Sequence, residues 1–473
     1  MRPSSIIALS GMAIALEVTC PAFAAESAAT PRPNIVFILT DDQRVGLTSL
    51  EGHPVSQTPN IDRIGREGAW FKNFFVTTPL CSPSRASFLS GRYAHKHFVI
   101  NNDKLGVAVP GYTMMTWPRQ LREAGYETAF LGKWHMGFDD SRRPGFDRWI
   151  GFKGQGCYFD GVVNDDGLQR QLTGYMTDYL SRQAADFILR PRTKPFALVV
   201  AHKAVHAPYL PDRKHQGLYS DYEYRLPPVP KSDIDGKLVL AAHVPPVQFY
   251  DLEDVGPEPG DSRRGRGATP AAVVRDQLRC LAAVDDGVGQ ILAALEKSGQ
   301  LDRTIVIYTS DNGYLLGEHG RFDDKRWPWE PSIRVPLMIR YPPLVAAGGV
   351  RDQLTLNIDI GPTMLALAGV EPLEPMHGQS LVPLLKRADA PFRKEFLAEY
   401  FLEKIVPVVP GWQCVRGERW KYIRYSGKPA SYDELYDLET DPREEKNLAT
   451  DPAAHATLVE MRGHLEKLLK ETR

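Results

Sequence analysis

NIVFILTDDQ at residues 34–43 and TIVIYTSDNG at residues 304–313 are apolar, β-branched runs that end abruptly in acidic and amide side chains. ETAFLGKWH at 127–135 and FALVVAHKAVH at 196–206 have the same form. Continuous apolar runs of this length are typical of strands that are buried on both faces of a parallel sheet. Helix-like stretches such as TDYLSRQAADFIL and VRDQLRCLAAVDDGVGQILAALEKSG lie between them. The alternation predicts an α/β fold in which helices sandwich a large, mixed but mostly parallel sheet.

The polar residues that follow these four runs should share one edge of the sheet. Ligands of open α/β sheets bind beyond the carboxyl ends of the strands. The residues expected at that edge are Asp41, Asp42, Lys133, His135, His202, His206, Asp311 and Asn312. The sequence therefore predicts a functional site there.

The length of 473 residues and the 43% hydrophobic content allow one large domain with a smaller companion. A Pro-, Gly- and charge-rich segment at about 217–267 predicts a long surface loop. Near the end, FLAEYF, QCVRGERWKYIRY and DELYDL are typical of short antiparallel strands, and HATLVEMRGHLEKLLKE of a closing helix. We expect a main domain over residues 25–388 and a C-terminal antiparallel subdomain over 389–473.

The first residues, MRPSSIIALSGMAIALEVTCPAFAAE, have the form of a signal peptide ending at Ala24. They contain an early Arg2 and an apolar stretch from Ile6 to Leu16. A membrane anchor is the alternative, but that stretch is shorter than the ~20 residues that a spanning helix needs, and Glu17 interrupts it. We expect export to the periplasm or the extracellular space, without a membrane anchor.

The net charge bears on the class of ligand, and the cysteines bear on possible disulfides. The formal net charge of −1 gives no support for nucleic-acid binding. Of the five cysteines, Cys20 would leave with the signal peptide. The remaining four, Cys81, Cys157, Cys280 and Cys414, would lie in a compartment that permits disulfides.

PLCSPSRASFLSGRY at 79–93 places Cys81 and Arg85 four residues apart at the predicted start of a helix. Backbone amides and the helix dipole favour an anion at such a position. A lone cysteine is ordinarily a buried structural thiol, so the surrounding motif has to decide between the two interpretations.

CSPSR followed by SGRY resembles the signature of the type I sulfatases of the alkaline phosphatase superfamily, in which the cysteine of CxPxR is oxidised to formylglycine. The resemblance extends to TDDQ, GKWH, the HxxxHAP element, SDNG with a downstream lysine, and ELYDLETDPREEKNL. It implies a sulfuric ester hydrolase with the alkaline phosphatase/sulfatase-like fold. It also implies a maturation enzyme that generates formylglycine (3-oxoalanine) from Cys81 before export.

The same resemblance implies a metal site whose ligands are Asp41, Asp42, Asp311, Asn312 and an oxygen of the modified Cys81. Carboxylate and amide oxygens are hard ligands, which suit Ca²⁺, or alternatively Mg²⁺, better than zinc. Either acidic pair alone is equally typical of a turn at a strand end. Two such pairs on strands of one sheet favour the cation.

The resemblance further implies the catalytic residues Cys81, Arg85, Lys133, His135, His206 and Lys325. Arg85 and Lys133 would hold oxygens of the aldehyde hydrate and the sulfate. One hydroxyl of hydrated formylglycine would attack sulfur with Asp311 as the base, while His206 or Lys325 protonates the leaving oxygen. His135 would then take the proton of the second hydroxyl, and sulfate would leave.

RPGFDRWIGFKGQGCYFDGVVNDDG at 143–167, AHKAVHAPY and LLGEHGRFDDKRWPWEPSIRVPL are similar to N-acetylglucosamine-6-sulfatases and related polysaccharide sulfatases. The implied substrate is a sulfated oligo- or polysaccharide, with the 6-O-sulfate of N-acetylglucosamine in a glycosaminoglycan or other sulfated glycan as the first candidate. The predicted substrate-binding residues are His202, His319, Asp160 and Trp327. A buried structural role is an equally ordinary interpretation of His202 and of any one tryptophan.

Three alternatives remain at the level of sequence. The enzyme could act on another sulfated polysaccharide or on an aryl sulfate. It could be a phosphonate or phosphodiester hydrolase of the same superfamily. A carbohydrate-binding protein that kept the fold and lost turnover is the non-enzyme alternative.

Overall fold

Apart from Met1, the computed structural model describes residues 32–102, 113–137, 139–241, 269–404 and 406–473. Residues 32–473 form one compact unit. The predicted signal peptide and residues 242–267 of the predicted surface loop lie outside the described residues. The domain boundary at 388/389 stays a prediction.

The strands in chain order are β1 (Asn34–Thr40), β2 (Ala69–Phe71), β3 (Phe74–Phe75), β4 (Glu127–Gly132), β5 (Arg148–Gly151), β6 (Val162–Asp165), β7 (Leu168–Gln171), β8 (Phe196–Ala201), β9 (Thr304–Ser310), β10 (Leu315–Leu316), β11 (Phe322–Asp324), β12 (Leu337–Arg340), β13 (Gly349–Arg351), β14 (Thr355–Leu356), β15 (Glu395–Tyr400), β16 (Trp412–Gly417), β17 (Trp420–Tyr425) and β18 (Glu434–Asp437).

The α-helices of the described residues are α1 (Pro59–Arg66), α2 (Cys81–Ser90), α3 (Ala94–His97), α4 (Trp117–Glu123), α5 (Met176–Leu189), α6 (Lys231–Asp235), α7 (Leu238–Ala241), α8 (Pro270–Lys297), α9 (Glu330–Ile333), α10 (Ile360–Ala368), α11 (Val382–Lys386) and α12 (His455–Glu471).

The main sheet of the described chain has ten strands in the order β13-β2-β12-β9-β1-β8-β4-β5-β6-β7. Its central strands β9, β1, β8, β4 and β5 are parallel to one another. Antiparallel pairs join β12 to β9 and β6 to β5. The prediction of a mixed, mostly parallel sheet is therefore confirmed, and all four apolar runs are central strands.

Helices cover both faces of this sheet. Alternate residues of each strand point to opposite sides, and on both sides they are apolar and pack against helices. Val36 and Ile38 of β1 pack with residues of α5 and α8 such as Leu180 and Leu281. On the other face, Ile35, Phe37 and Leu39 pack with residues of α2, α4 and α10. All seven residues of β1 are buried, and the five between Asn34 and Thr40 are all apolar rather than alternating.

A second sheet follows near the C-terminus. Strands β15 to β18 form an antiparallel meander of four strands, and α12 packs on β15, β16 and β17. The predicted short strands and the predicted closing helix are thus confirmed.

The predicted surface loop is only partly irregular. Residues 231–241 form the short helices α6 and α7, and Asp233, Lys237 and Val239 are buried. The expectation that this whole segment lies outside the core is therefore wrong for Asp233, Lys237, Val239 and Leu240. The reason is an ion pair: the Asp233 carboxylate bonds both Lys237 and His319.

Within the described residues, no helix has the length and apolarity needed to cross a membrane. Cys81, Cys157, Cys280 and Cys414 are all unbridged.

Candidate active site

Two pairs of neighbouring residues, Asp41 with Asp42 and Asp311 with Asn312, meet at the carboxyl edge of the sheet. The register pairs Thr40 of β1 with Ser310 of β9, so Asp41 and Asp311 leave adjacent strands side by side. The Asp42 backbone amide donates to Asp311 Oδ1 at 3.1 Å, and Asn312 Nδ2 donates to Asp42 Oδ1 at 2.7 Å. Asp42 has a φ of 60°, a strained conformation for a non-glycine residue that is common at functional sites.

Cys81 is the first residue of α2 and is completely buried. Its Sγ lies 3.5 Å from Asp41 Oδ1. Every residue of α2 is buried, which fixes the N-terminus of this helix at the edge of the sheet. The predicted nucleophile therefore lies against the predicted metal ligands, although they are 39 residues or more apart in sequence.

Arg85, one helical turn after Cys81, connects three strands. Its Nε donates to Asp311 Oδ2 at 2.8 Å, and its Nη1 donates to the Lys133 carbonyl at 2.7 Å. Its Nη2 lies 3.3 Å from Asp41 Oδ2. A guanidinium with five donors in a fixed fork can hold several oxygens at once.

Two lysines complete the cationic side of the site. Lys133, at the end of β4, is fully buried and donates to Asp41 Oδ2 and to Gln155 Oε1. Lys325 Nζ lies 2.6 Å from Asp42 Oδ1 and 3.0 Å from Cys81 Sγ. Both predicted lysines thus contact the acidic cluster, and Lys325 also contacts the nucleophile.

The three histidines of this edge differ in their contacts. His206 Nε2 lies 3.6 Å from Asp42 Oδ2. His135 is partly exposed, has a φ of 58°, and accepts the Ser82 hydroxyl at its carbonyl at 2.6 Å. His202 is fully buried, and neither of its ring nitrogens has a hydrogen-bond partner in the described part of the chain.

Burial and crowding shift the pKa values of the site. Burial alone would raise the pKa of Asp41, but Lys133, His206 and Arg85 hold it well below its usual value. Burial and the neighbouring Asp41 raise the pKa of Asp311 to about 7, against the effect of Arg85. Burial also raises the pKa of the Cys81 thiol to about 12, although Lys133 and Lys325 oppose it. The unmodified cysteine is therefore a protonated thiol, which is a poor nucleophile.

The donor set fits a hard divalent cation. Asp41, Asp42, Cys81 and His206 each offer one ligand atom, and these atoms lie within 4.8 Å of one another. Asp42 Oδ2 and Asn312 Oδ1 are buried oxygens without a hydrogen-bond partner among the described residues. Buried oxygens normally find a partner, so two unpartnered ones in a cluster with three carboxylates fit a cation site.

The predicted substrate-binding residues are mostly inside the protein. Trp327 has no exposed surface and stacks on Trp329 at 4.8 Å. His319 is 3% exposed and bonds Asp233, and His202 is fully buried. These three rings are as deeply buried as Cys81 and Lys133, and their direct contacts to a sugar stay predictions. Asp160 is exposed and bonds the Gly174 backbone amide.

Two further residues at this edge carry no motif that would single them out. Gln155 accepts from Lys133, and its only sequence signal is a position between two glycines. Lys203 is 4% exposed, and burial together with the nearby Lys133 lowers its pKa to about 8.

Comparison with known proteins agrees with this arrangement. Residues 33–370 match the family model described as sulfatase, and residues 317–471 match the model of the C-terminal region of N-sulphoglucosamine sulphohydrolase. The N-acetylglucosamine-6-O-sulfatase of Bacteroides thetaiotaomicron is 33% identical to the chain, over 94% of this chain and 86% of the relative.

Solved structures show the same fold. The structure of BT4656 in complex with its substrate D-glucosamine-2-N,6-O-disulfate has a TM-score of 0.83 and 31% identity, and covers 93% of this chain and 98% of that one. A phosphonate monoester hydrolase of Agrobacterium radiobacter has a TM-score of 0.76 at 22% identity, covering 93% and 96%, which shows the fold alone. Because the sulfatase family model matches most of the chain, the chain belongs to the sulfatase family and is a type I sulfatase, a sulfuric ester hydrolase.

Proposed function

We propose that this sulfatase hydrolyses sulfate monoesters on carbohydrate with a formylglycine nucleophile at Cys81 and a divalent cation. The observation that supports this mechanism best is the position of Cys81. Its Sγ lies at a helix N-terminus, 3.0 Å from Lys325 Nζ and 3.5 Å from Asp41 Oδ1. An anionic ester at this point would meet cations, helix amides and the nucleophile together.

The cation, Ca²⁺ or Mg²⁺, would be held by Asp41, Asp42, Asp311, Asn312 and the modified Cys81. Its charge would offset the three buried carboxylates and add to the charges of Arg85, Lys133 and Lys325, so that the site attracts an anionic substrate.

Oxidation of Cys81 to formylglycine supplies, in its hydrated form, one hydroxyl that attacks sulfur and a second that lets sulfate leave. Asp311 takes the proton of the attacking hydroxyl, since its carboxylate lies next to Asp41 and is oriented by Arg85. His135 takes the second proton. Arg85 and Lys133 hold the sulfate oxygens on which negative charge accumulates.

Lys325 is the proposed general acid for the leaving oxygen. Its Nζ lies 3.0 Å from Cys81 Sγ, beside the transferring group, and in an in-line displacement its long side chain has to extend past sulfur to protonate the leaving oxygen on the far side. His206, beside Asp42, contacts the transferring group.

The proposed substrate is the 6-O-sulfate of N-acetylglucosamine in a glycosaminoglycan or other sulfated glycan. Support comes from the 33% identical relative named as an N-acetylglucosamine-6-O-sulfatase and from the similar structure that holds a 6-O-sulfated glucosamine. Asp160, exposed and in the second half of the segment 143–167, is the proposed contact to the sugar.

Residues 1–24 are proposed to direct export to the periplasm or the extracellular space, after a maturation enzyme has converted Cys81. We further propose that residues 25–388 form the catalytic domain and residues 389–473 the C-terminal subdomain.

The substrate is tested by measuring sulfate release, by ion chromatography, from 2-O-, 3-O-, 4-O- and 6-O-sulfated mono- and oligosaccharides. Mass spectrometry first verifies conversion of Cys81, and a phosphonate monoester and an aryl sulfate serve as comparison substrates. We expect selective release from 6-sulfated N-acetylglucosamine. Release from another position would replace the substrate, and preference for the phosphonate by fully converted enzyme would contradict the proposed function.

A further inference from the structure

Glu403 is a completely buried acid outside the catalytic residues described above. It lies three residues after β15 of the C-terminal sheet. Its Oε1 accepts the Asn102 backbone amide at 3.1 Å, and its Oε2 accepts Arg326 Nε at 2.5 Å and the Tyr400 hydroxyl at 3.2 Å. Both carboxylate oxygens are therefore engaged, and each leads to a different part of the active site.

The first contact leads to the nucleophile. Asn102 Oδ1 accepts the backbone amide of Ser82 at 3.0 Å, and Ser82 directly follows Cys81. The Ser82 hydroxyl in turn donates to the His135 carbonyl at 2.6 Å. Glu403 thus fixes Asn102, and Asn102 fixes the first turn of α2 that presents Cys81.

The second contact leads to the proposed general acid. Arg326 directly follows Lys325 and has a φ of 81°, in the left-handed region that non-glycine residues adopt only when neighbours hold them there. Its guanidinium bonds Glu403, and its carbonyl accepts Trp412 Nε1 at 2.8 Å. Contacts from the C-terminal sheet therefore hold both ends of the residue next to Lys325.

We propose that Glu403 is a positioning residue for the sulfatase reaction, which fixes the nucleophile Cys81 and the acid Lys325 relative to each other. This inference rests on the proposed function of Cys81 and Lys325. This one buried carboxylate links two segments, residues 101–102 and 325–326, that would otherwise be independent of each other. It thereby gives the C-terminal sheet a role in catalysis.

The effect of losing Glu403 should depend on the leaving group of the substrate. A sugar alkoxide needs a proton as it leaves, whereas an activated aryl oxide needs little acid assistance. A shift of Lys325 by about 1 Å is enough to lower the rate on the order of 10²-fold. Loss of Glu403 should therefore impair sugar sulfates more than activated aryl sulfates.

The test compares Glu403→Gln with Glu399→Gln. Glu399 lies on the same β15, is 2% exposed, and bonds His95 rather than the active site. The readouts are kcat and KM on 4-nitrocatechol sulfate and on the best sulfated sugar, per mole of converted Cys81, together with Tm. For Glu403→Gln we expect kcat to fall roughly 10²-fold on the sugar and roughly tenfold on the aryl sulfate, with KM nearly unchanged. For Glu399→Gln we expect both kcat values within about threefold of wild type.

Equal losses on the two substrates, or the same kcat for the two variants, would overturn the positioning role. If Glu403→Gln does not fold, Asn102→Ala removes only the contact to Ser82 and buries no unpaired charge. It should lower kcat on both substrates at unchanged Tm, and a wild-type kcat would overturn the inference. Wild-type enzyme that is inactive on every sulfate ester would instead contradict the proposed function.

Discussion

At the scale of single residues, the site shows why an unmodified cysteine is insufficient at position 81. Burial keeps the thiol protonated by raising its pKa to about 12. A hydroxyl or thiol could accept the sulfuryl group once, but its ester has no second hydroxyl to expel sulfate and must wait for water. The cations around Cys81 would favour transfer of the sulfuryl group, and the proposed formylglycine would allow turnover.

We predict that Cys81→Ser will lose multiple turnover while keeping the fold. Activity on an activated aryl sulfate should fall by roughly 10³-fold or more. Release of product should stop at or below one equivalent per enzyme, with the sulfated serine visible by mass spectrometry. Sustained turnover at the wild-type rate would refute the proposed nucleophile.

At the scale of elements, the close pairing of β4 with β8 at the end of β4 requires a glycine. Gly132 pairs with Ala201 of β8 and has a φ of 119°, and an added Cβ would lie 1.9 Å from the Ala201 carbonyl oxygen. That contact is with backbone, so the two strands would have to separate. Lys133 is the next residue, and its amide donates to the same carbonyl at 2.8 Å.

We predict that Gly132→Ala will lower kcat on the order of 10²-fold, because it displaces Lys133 from Asp41. Gly125→Ala is the matched control: Gly125 precedes β4, has a φ of 95°, and has no atom within 4 Å of an added Cβ. Both variants carry the strain of a positive φ, about 1–2 kcal/mol, but only one carries the clash. Steady-state kinetics and Tm distinguish them, and equal activity of the two would count against the clash.

At the scale of the whole molecule, the acidic cluster joins parts of the chain that are far apart in sequence. Asp41 follows β1, Asp311 follows β9 and Cys81 begins α2. A cation that binds all three stabilises the folded chain, because the unfolded chain cannot assemble this site.

We predict that chelation will lower Tm and abolish activity, and that Ca²⁺ or Mg²⁺ will restore both. A cation at about 100 times its dissociation constant adds about 3 kcal/mol to the free energy of unfolding, so a shift of a few degrees is expected. Asp311→Ala should weaken this response to the cation. A Tm that does not change on chelation, or an unchanged cation requirement in the variant, would contradict the ligand assignment.

The sequence by itself determined the central sheet, because continuous apolar runs and the polar residues that end them are local patterns. It also predicted the meander of β15 to β18. The catalytic residues Cys81, Arg85, Lys133 and Lys325, which the structure brings together, were implied by the resemblance of their motifs to those of the type I sulfatases.

Only the tertiary structure decided which of the predicted substrate-binding side chains are buried. Trp327, His319 and His202 carry the chemistry of sugar binding in sequence, yet they are buried by residues from other elements. Gln155 and Glu403 have no local signal, since their roles come from Lys133, Asn102 and Arg326, which are 22 to 301 residues away. Burial and partner choice depend on packing between distant segments, and no local pattern encodes them.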